Sequence, residues 1–186
     1  MSKYDLDLDY AIPKIDISLE ELNEIITDAD SIIADNSTSP EKLAVACLKK
    51  AQCLYKLEQA NDFSDKEKLY KAKELLKKTL ELIPDMPEAL MRLGTIYDEL
   101  SENVAGYFYK AVTMLTKAIQ LKPDYAAAFN NRSHVYGTDE DSQYKDENYQ
   151  NNCRKAITDL TEAVRIRPCH ATYYFNRSQH YSKLGE

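Results

Sequence analysis

The residues of this chain that could do chemistry are few and scattered. His134, His170 and His180 are the candidates for proton transfer or metal ligation, yet they lack the ligand spacing of a zinc site. His170 stands beside Cys169 in a turn, and no acidic residue is placed to orient a catalytic base. The four glycines, Gly94, Gly106, Gly137 and Gly185, never cluster, so there is no loop to cradle a phosphate. Cys47 and Cys53 fall on a helix-patterned segment and read as core fillers. These residues do not add up to an enzyme. What remains is hydrogen bonding by side-chain amides, among them Asn130, Asn131 and Asn176. Each amide both donates and accepts, so a row of them can hold an extended peptide by its N–H and C=O groups.

Two of these amides occupy near-copies of one helix. Ala128–Tyr136 reads AFNNRSHVY and Tyr174–Ser182 reads YFNRSQHYS, about 45 residues apart. Each copy follows a Pro that closes an amphipathic run, LTKAIQLKP at Pro123 and LTEAVRIRP at Pro168. A third copy runs TLELIP to Pro84 and then EALMRLGTIY over Glu88–Tyr97. Self-similarity at this period marks a solenoid, in which each unit buries its apolar face against its neighbours.

Helix signals punctuate the chain accordingly. Ser18 and Glu21 form a capping box ahead of an apolar stripe from Leu19 to Ile33, predicting a helix over 19–34. Ser39 caps the next, with Pro40 in its first turn, and that helix is expected to reach Leu57. Ser64 with Glu67 suggests a second capping box leading into KEKLYKAKELLKKTLELI. Further helices are expected over 87–100, 102–121, 125–137, 146–166 and 171–184, and the acidic stretch 138–150 is either a loop or an extension of its flanking helices.

Charge is unevenly placed. Residues 1–40 hold 10 acids and 2 bases, whereas residues 41–186 hold 21 acids and 22 bases, which together give the net charge of −7. The acidity belongs to a leader, Met1–Ile17, in which Tyr4–Tyr10 alternates acidic and apolar residues. Its composition suits a disordered tail. The alternative is a tethered ligand lying near Lys49, Lys56 and Arg92. There is no basic stripe of the kind that binds nucleic acid. No apolar run approaches the roughly 18 residues of a membrane span. The N-terminus lacks a signal peptide, and the four cysteines (Cys47, Cys53, Cys153, Cys169) lack paired spacing, so we expect reduced thiols and a cytoplasmic location.

With the repeats laid out, residues 42–186 resemble the tetratricopeptide-repeat family, whose unit is a pair of antiparallel helices, A and B. One repeat supplies Leu90, Leu93, Gly94, Tyr97, Ala111, Leu115, Ala118 and Pro123. The next supplies Phe129, Arg132, Ser133, Tyr136, Ala156, Leu160, Ala163 and Pro168. A weaker first repeat supplies Cys47, Lys50, Ala51, Leu54, Ala72, Leu76, Thr79 and Pro84, and a fourth begins with Tyr174, Arg177, Ser178 and Tyr181. In every complete repeat the turn between helices A and B is longer than the family norm. The end at Glu186 falls in mid-repeat, suggesting a fragment of a longer protein with helix 171–184 as a provisional cap.

The resemblance implies an all-α, antiparallel helix-pair solenoid, a right-handed superhelix of three full repeats and a partial fourth. Its parts would be a leader (1–17), a capping helix (18–38) and an array (39–186, divided near 40–85, 86–125, 126–170 and 171–186). It further implies a scaffold or adaptor that binds another protein in a concave groove, with no cofactor, no metal, no nucleic acid and no membrane. Carried over residue by residue, the groove positions are Leu48, Lys49, Gln52 and Lys56, then Met91, Arg92, Thr95 and Asp98. The later repeats give Asn130, Asn131 and His134, then Phe175, Asn176 and Gln179. Asn131 and Asn176 hold the place of the family's asparagine ladder. The carboxylate clamp of co-chaperones, which grips acidic C-terminal peptides, would need Lys and Asn where Met91 and Thr95 stand. Two further alternatives are the interaction domain of a larger enzyme and self-association through the leader or the last repeat.

Overall fold

A computed structural model describes residues 17–63, 66–101, 104, 106–138 and 147–185. Among them are eight α-helices and no strand: α1 (Leu19–Ala34), α2 (Pro40–Ala60), α3 (Glu67–Leu82), α4 (Pro87–Glu99), α5 (Tyr107–Leu121), α6 (Ala126–Gly137), α7 (Glu147–Ile166) and α8 (Ala171–Leu184). The leader and most of the acidic stretch 138–150 lie outside the described residues.

Helix ends follow local chemistry. The Ser18 Oγ accepts from the Glu21 N–H at 3.1 Å, while the Glu21 carboxylate accepts from the Ser18 N–H at 2.9 Å. That reciprocal box satisfies two of the donors a helix start leaves open. The Ser39 Oγ caps α2 through the Lys42 N–H at 3.3 Å. Three boundaries differ from the sequence reading. α2 runs to Ala60, past Leu57, because Glu58 is fully buried there and pairs with Lys68 of α3 at 3.3 Å. α3 starts at Glu67 behind Lys66, a left-handed residue (φ 56°) with no side-chain cap. Ser64, the expected cap, lies outside the described residues. α5 starts at Tyr107 rather than near 102, behind Gly106 at φ 84°, a conformation glycine takes without steric cost. Part of the added length in the first repeat is helical, since α2 has 21 residues against 13 in α4 and 12 in α6.

The helices form two compact units. The N-terminal unit, Ile17–Pro123, packs α1 on α2, α2 on α3, α3 on α4 and α4 on α5. Its core joins Leu48, Ala51, Leu54, Leu69, Ala72, Leu76, Leu93 and Ile96. The Thr79 Oγ1 near the end of α3 donates to the Ala44 carbonyl near the start of α2 at 3.3 Å, so the pair runs antiparallel. In the C-terminal unit, from Asp124 onward, α6 packs on α7 and α7 on α8.

One stripe recurs on every second helix of a pair. Ala72, Leu76 and Thr79 on α3, Ala111, Leu115 and Ala118 on α5, and Ala156, Leu160 and Ala163 on α7 are all fully buried. Small residues one turn either side of a leucine let two helix backbones approach while the leucine fills the remaining gap. At Gly94 the approach is close enough that a Cβ would stand 2.7 Å from the Leu115 Cγ.

Candidate functional site

In the N-terminal unit the expected binding positions lie on α2 and α4. Lys49 and Lys56 are half-buried, and Gln52, Met91, Arg92, Thr95 and Asp98 are buried. The α4 positions are therefore more enclosed than a plain exposed helix face. The Gln52 Nε2 donates to the Glu88 carboxylate at 2.5 Å, tying α2 to α4. The Thr95 Oγ1 turns back to the Met91 carbonyl at 3.1 Å. Ala51, Gln52, Tyr55, Leu76, Arg92, Thr95 and Ile96 enclose a cavity of about 10 Å³, room for one water.

This face carries Lys49, Lys56 and Arg92 together with the carboxylates of Glu88 and Asp98. Burial, and then the charge of Arg92, push the Lys56 amine below its ordinary value. Among the described residues no carboxylate pairs with Lys56. Beneath it, burial pushes the Cys53 thiol up to about 11. That is the mark of an inert core thiol, as the sequence suggests.

In the C-terminal unit the amides come together. The Asn176 Nδ2 of α8 donates to the Asn130 Oδ1 of α6 at 3.0 Å, and the Asn130 Nδ2 donates to the Asn131 Oδ1 at 3.3 Å. Asn130 is thus the link, and Asn131 is buried at the far end. The α8 residue matching Asn130 is Phe175, which brings no amide and is 61% exposed. His134 and Gln179 are also exposed.

Two features of this unit went unread in the sequence. Arg132 grips Asp159 with two bonds, Nε to Oδ2 at 2.8 Å and a terminal nitrogen to Oδ1 at 2.7 Å. Burial raises the Asp159 carboxyl, and the Arg132 bonds and charge offset part of that rise. The recurrence of Arg at 132 and 177 was the available signal. His180 is the second feature. It is buried where α8 reaches Gly137, whose Cβ, if present, would stand 2.9 Å from the imidazole. Burial, then Lys183 and His134, lower its pKa to about 4. A third surface, in the N-terminal unit, is a cleft of about 710 Å³ lined by Ile26, Leu54, Tyr70 and Leu75 together with Lys50, Lys71, Lys78 and Glu74.

Among the described residues no group of three or more His, Cys, Asp or Glu could hold a metal, and no helix is long and apolar enough to cross a membrane. The four cysteines are free.

Solved structures share this arrangement. A MamA crystal structure matches with a TM-score of 0.65 at 21% identity, over 89% of this chain and 80% of that one. A thermophilic TPR protein of Thermus thermophilus matches at 0.64 and 20% identity, over 90% and 76%. The chain has the tetratricopeptide-repeat fold. The same fold relates it to a Thermobaculum terrenum O-GlcNAc transferase mutant (TM-score 0.55, 20% identity), over 74% of this chain and 22% of that one. No protein-family model and no curated protein sequence matches the chain. Within the tetratricopeptide-repeat fold, the helix-pair stripes are what the sequence repeats most faithfully, and the residues between them vary.

Proposed function

We propose that this chain is an adaptor that binds another protein, with one candidate face on α2 and α4 in the N-terminal unit and a second, considered by itself, on α6 and α8 in the C-terminal unit. Lys49, Gln52, Lys56, Met91, Arg92 and Thr95 form the first face. Asn130, Asn131, His134, Phe175, Asn176 and Gln179 form the second. The observation that carries this reading is Lys56, half-buried, with its amine lowered by burial and by Arg92 and with no carboxylate against it among the described residues. A half-buried cation such as Lys56 gains from an acidic side chain brought by a partner. A charge-assisted bond at such a site contributes about 1.5–3 kcal/mol. On the second face the Asn176 Oδ1 is an acceptor for a peptide N–H, and Phe175 offers an exposed ring for an apolar side chain.

The co-chaperone-like alternative, capture of an acidic C-terminal peptide, draws on the same cations but meets Met91 and Thr95 where that clamp asks for Lys and Asn. The alternative of an interaction domain in a larger enzyme has its parallel in the transferase structure, of which this chain matches 22%. The cytoplasmic location rests on the free cysteines, and self-association through the leader on its charge.

The test is a peptide-display selection against the immobilised chain, repeated with Lys56→Gln and with Asn176→Ala after circular dichroism shows equal helicity. Peptides that carry an acidic residue and lose affinity with Lys56→Gln are expected. Enrichment that neither substitution changes, or no enrichment, would place binding elsewhere or nowhere.

A further inference from the structure

Three helices build the cleft of about 710 Å³ in the N-terminal unit. α1 and α3 both pack on α2. Ile26 of α1, Leu54 of α2, and Tyr70 and Leu75 of α3 supply its apolar lining. Tyr70 is 39% exposed, and Ile26 and Leu75 are half-buried. The volume is that of a binding site rather than of a packing defect. Its charged residues are Lys50, Lys71, Lys78 and Glu74, an excess of positive charge. The Glu74 carboxylate is matched by Lys77 at 2.9 Å and Lys73 at 3.4 Å, neither of which lines the cleft. Lys50 pairs with Asp30, and Lys71 with Glu67 at 2.6 Å in an exposed contact of the kind that contributes little. Lys78 makes no ion pair among the described residues. Burial pushes the Cys47 thiol up, and Lys78 and then Lys50 oppose that rise, so both cations act on the same region.

The acidic leader joined to α1 matches this cleft in pattern, charge and reach. Tyr4, Leu6, Leu8 and Tyr10 alternate with Asp5, Asp7 and Asp9. In an extended chain the four apolar side chains share one side and the three carboxylates the other. Lysine stems lie along apolar surface while their ammonium groups stay in water, so they can meet carboxylates that point away from the lining. Lys71 and Lys78 stand two turns apart on α3, about 10 Å. Asp5 and Asp9 stand about 13 Å apart in an extended chain, a comparable spacing. Ile26 lies about 13 Å along α1 from Ile17. The segment from Tyr10 to Ile17 spans up to about 23 Å, with Pro13 inside it as a residue suited to a turn. The leader can therefore turn back and lie beside Ile26.

We propose that the leader segment Tyr4–Tyr10 docks in the α1–α2–α3 cleft of its own chain, its apolar side against Ile26, Leu54, Tyr70 and Leu75 and its aspartates among Lys50, Lys71 and Lys78. The leader of a second copy carries the same pattern but lacks the tether. Tethering supplies a local concentration of about millimolar, so a contact with a Kd of roughly 0.1 mM is about nine-tenths closed. The docked leader keeps the cleft from other acidic–apolar segments, and a partner that brings such a segment competes with it. The cleft shares no residue with either face proposed above, so the two readings stand or fall separately.

The chain contains no tryptophan, so Tyr4→Trp, and separately Leu8→Trp, places a single fluorescent reporter in the leader of the full chain. The reference is a synthetic peptide of the leader, Met1–Asp16, with the same change. In the full chain the emission should shift to the blue, and acrylamide quenching should fall roughly threefold or more against the peptide. Both should be unchanged by dilution. Lys71 and Lys78 are exposed, so Lys71→Glu with Lys78→Glu should return quenching to the peptide value while circular dichroism shows equal helicity. Adding Asp5→Lys and Asp9→Lys to that variant should restore the shielding. Two reporters as quenchable as in the peptide overturn the proposal. So does shielding that survives reversal of Lys71 and Lys78, including shielding lost instead with Lys49→Glu and Lys56→Glu, which puts the leader on the α2 and α4 face. Shielding that disappears on dilution gives the cleft to the leader of a second copy, and also overturns it.

Discussion

Replacing Gly94 by alanine sets two effects of known size against each other. Gly94 lies inside α4, where alanine is favoured over glycine by about 1 kcal/mol. The added methyl, however, would stand 2.7 Å from the Leu115 Cγ and 3.2 Å from the Ala111 carbonyl oxygen. Ordinary carbon contacts are about 3.5–4.0 Å, so α4 and α5 must part by most of an ångström or Leu115 must leave its rotamer. Leu115 is fully buried and Cγ is its branch point, so no flexible end can yield. Overpacking of this kind costs about 1–3 kcal/mol, which outweighs the helix preference and leaves a net loss of about 1 kcal/mol. Urea unfolding followed by circular dichroism reads it directly. Leu115→Ala completes a double-mutant cycle. The two changes together should destabilise less than their sum, because the new methyl enters the space that the leucine vacates. A Gly94→Ala protein more stable than wild type, or a cycle with no coupling, would refute the close approach of α4 and α5 on which the helix-pair reading rests.

Arg132→Leu should cost about 3–5 kcal/mol, since it strands the buried Asp159 carboxylate. Arg132→Leu with Asp159→Leu should recover most of that in the same urea assay. For His180, the folded pKa of about 4 lies below the unfolded value of about 6.5, so protons favour the undocked helix. Stability is complete above pH 6.5 and declines as pH falls toward 4, by up to about 3 kcal/mol, with Lys183 and His134 adding to the repulsion. The protection factors of the α8 amides, which correct for the slower intrinsic exchange at low pH, should therefore fall by up to about 30-fold from pH 7 to pH 5, and His180→Asn should remove most of that dependence.

The helices were legible in the chain because their causes are local. Ser18 with Glu21, and Ser39 with Pro40, fix two helix starts through bonds that span three residues. The Ala–Leu–small stripes on α3, α5 and α7 are visible because a covered face repeats along its own helix. With that repeat came the fold class and the identity of the core residues.

Tertiary structure alone decided who meets whom. Periodicity reports which side of a helix is apolar, but not the offset at which a second helix lies against it. That offset pairs Arg132 with Asp159, 27 residues away, and makes Asn130 rather than Asn131 the link to Asn176. It also buries His180 against Gly137, where the absent Cβ leaves room for a ring. The end of α2 is tertiary as well: at Ala60 it lies beyond Leu57, and the buried Glu58 in its last turn pairs with Lys68 of another helix. Local bonds set the elements, and the distances between helices set the sites.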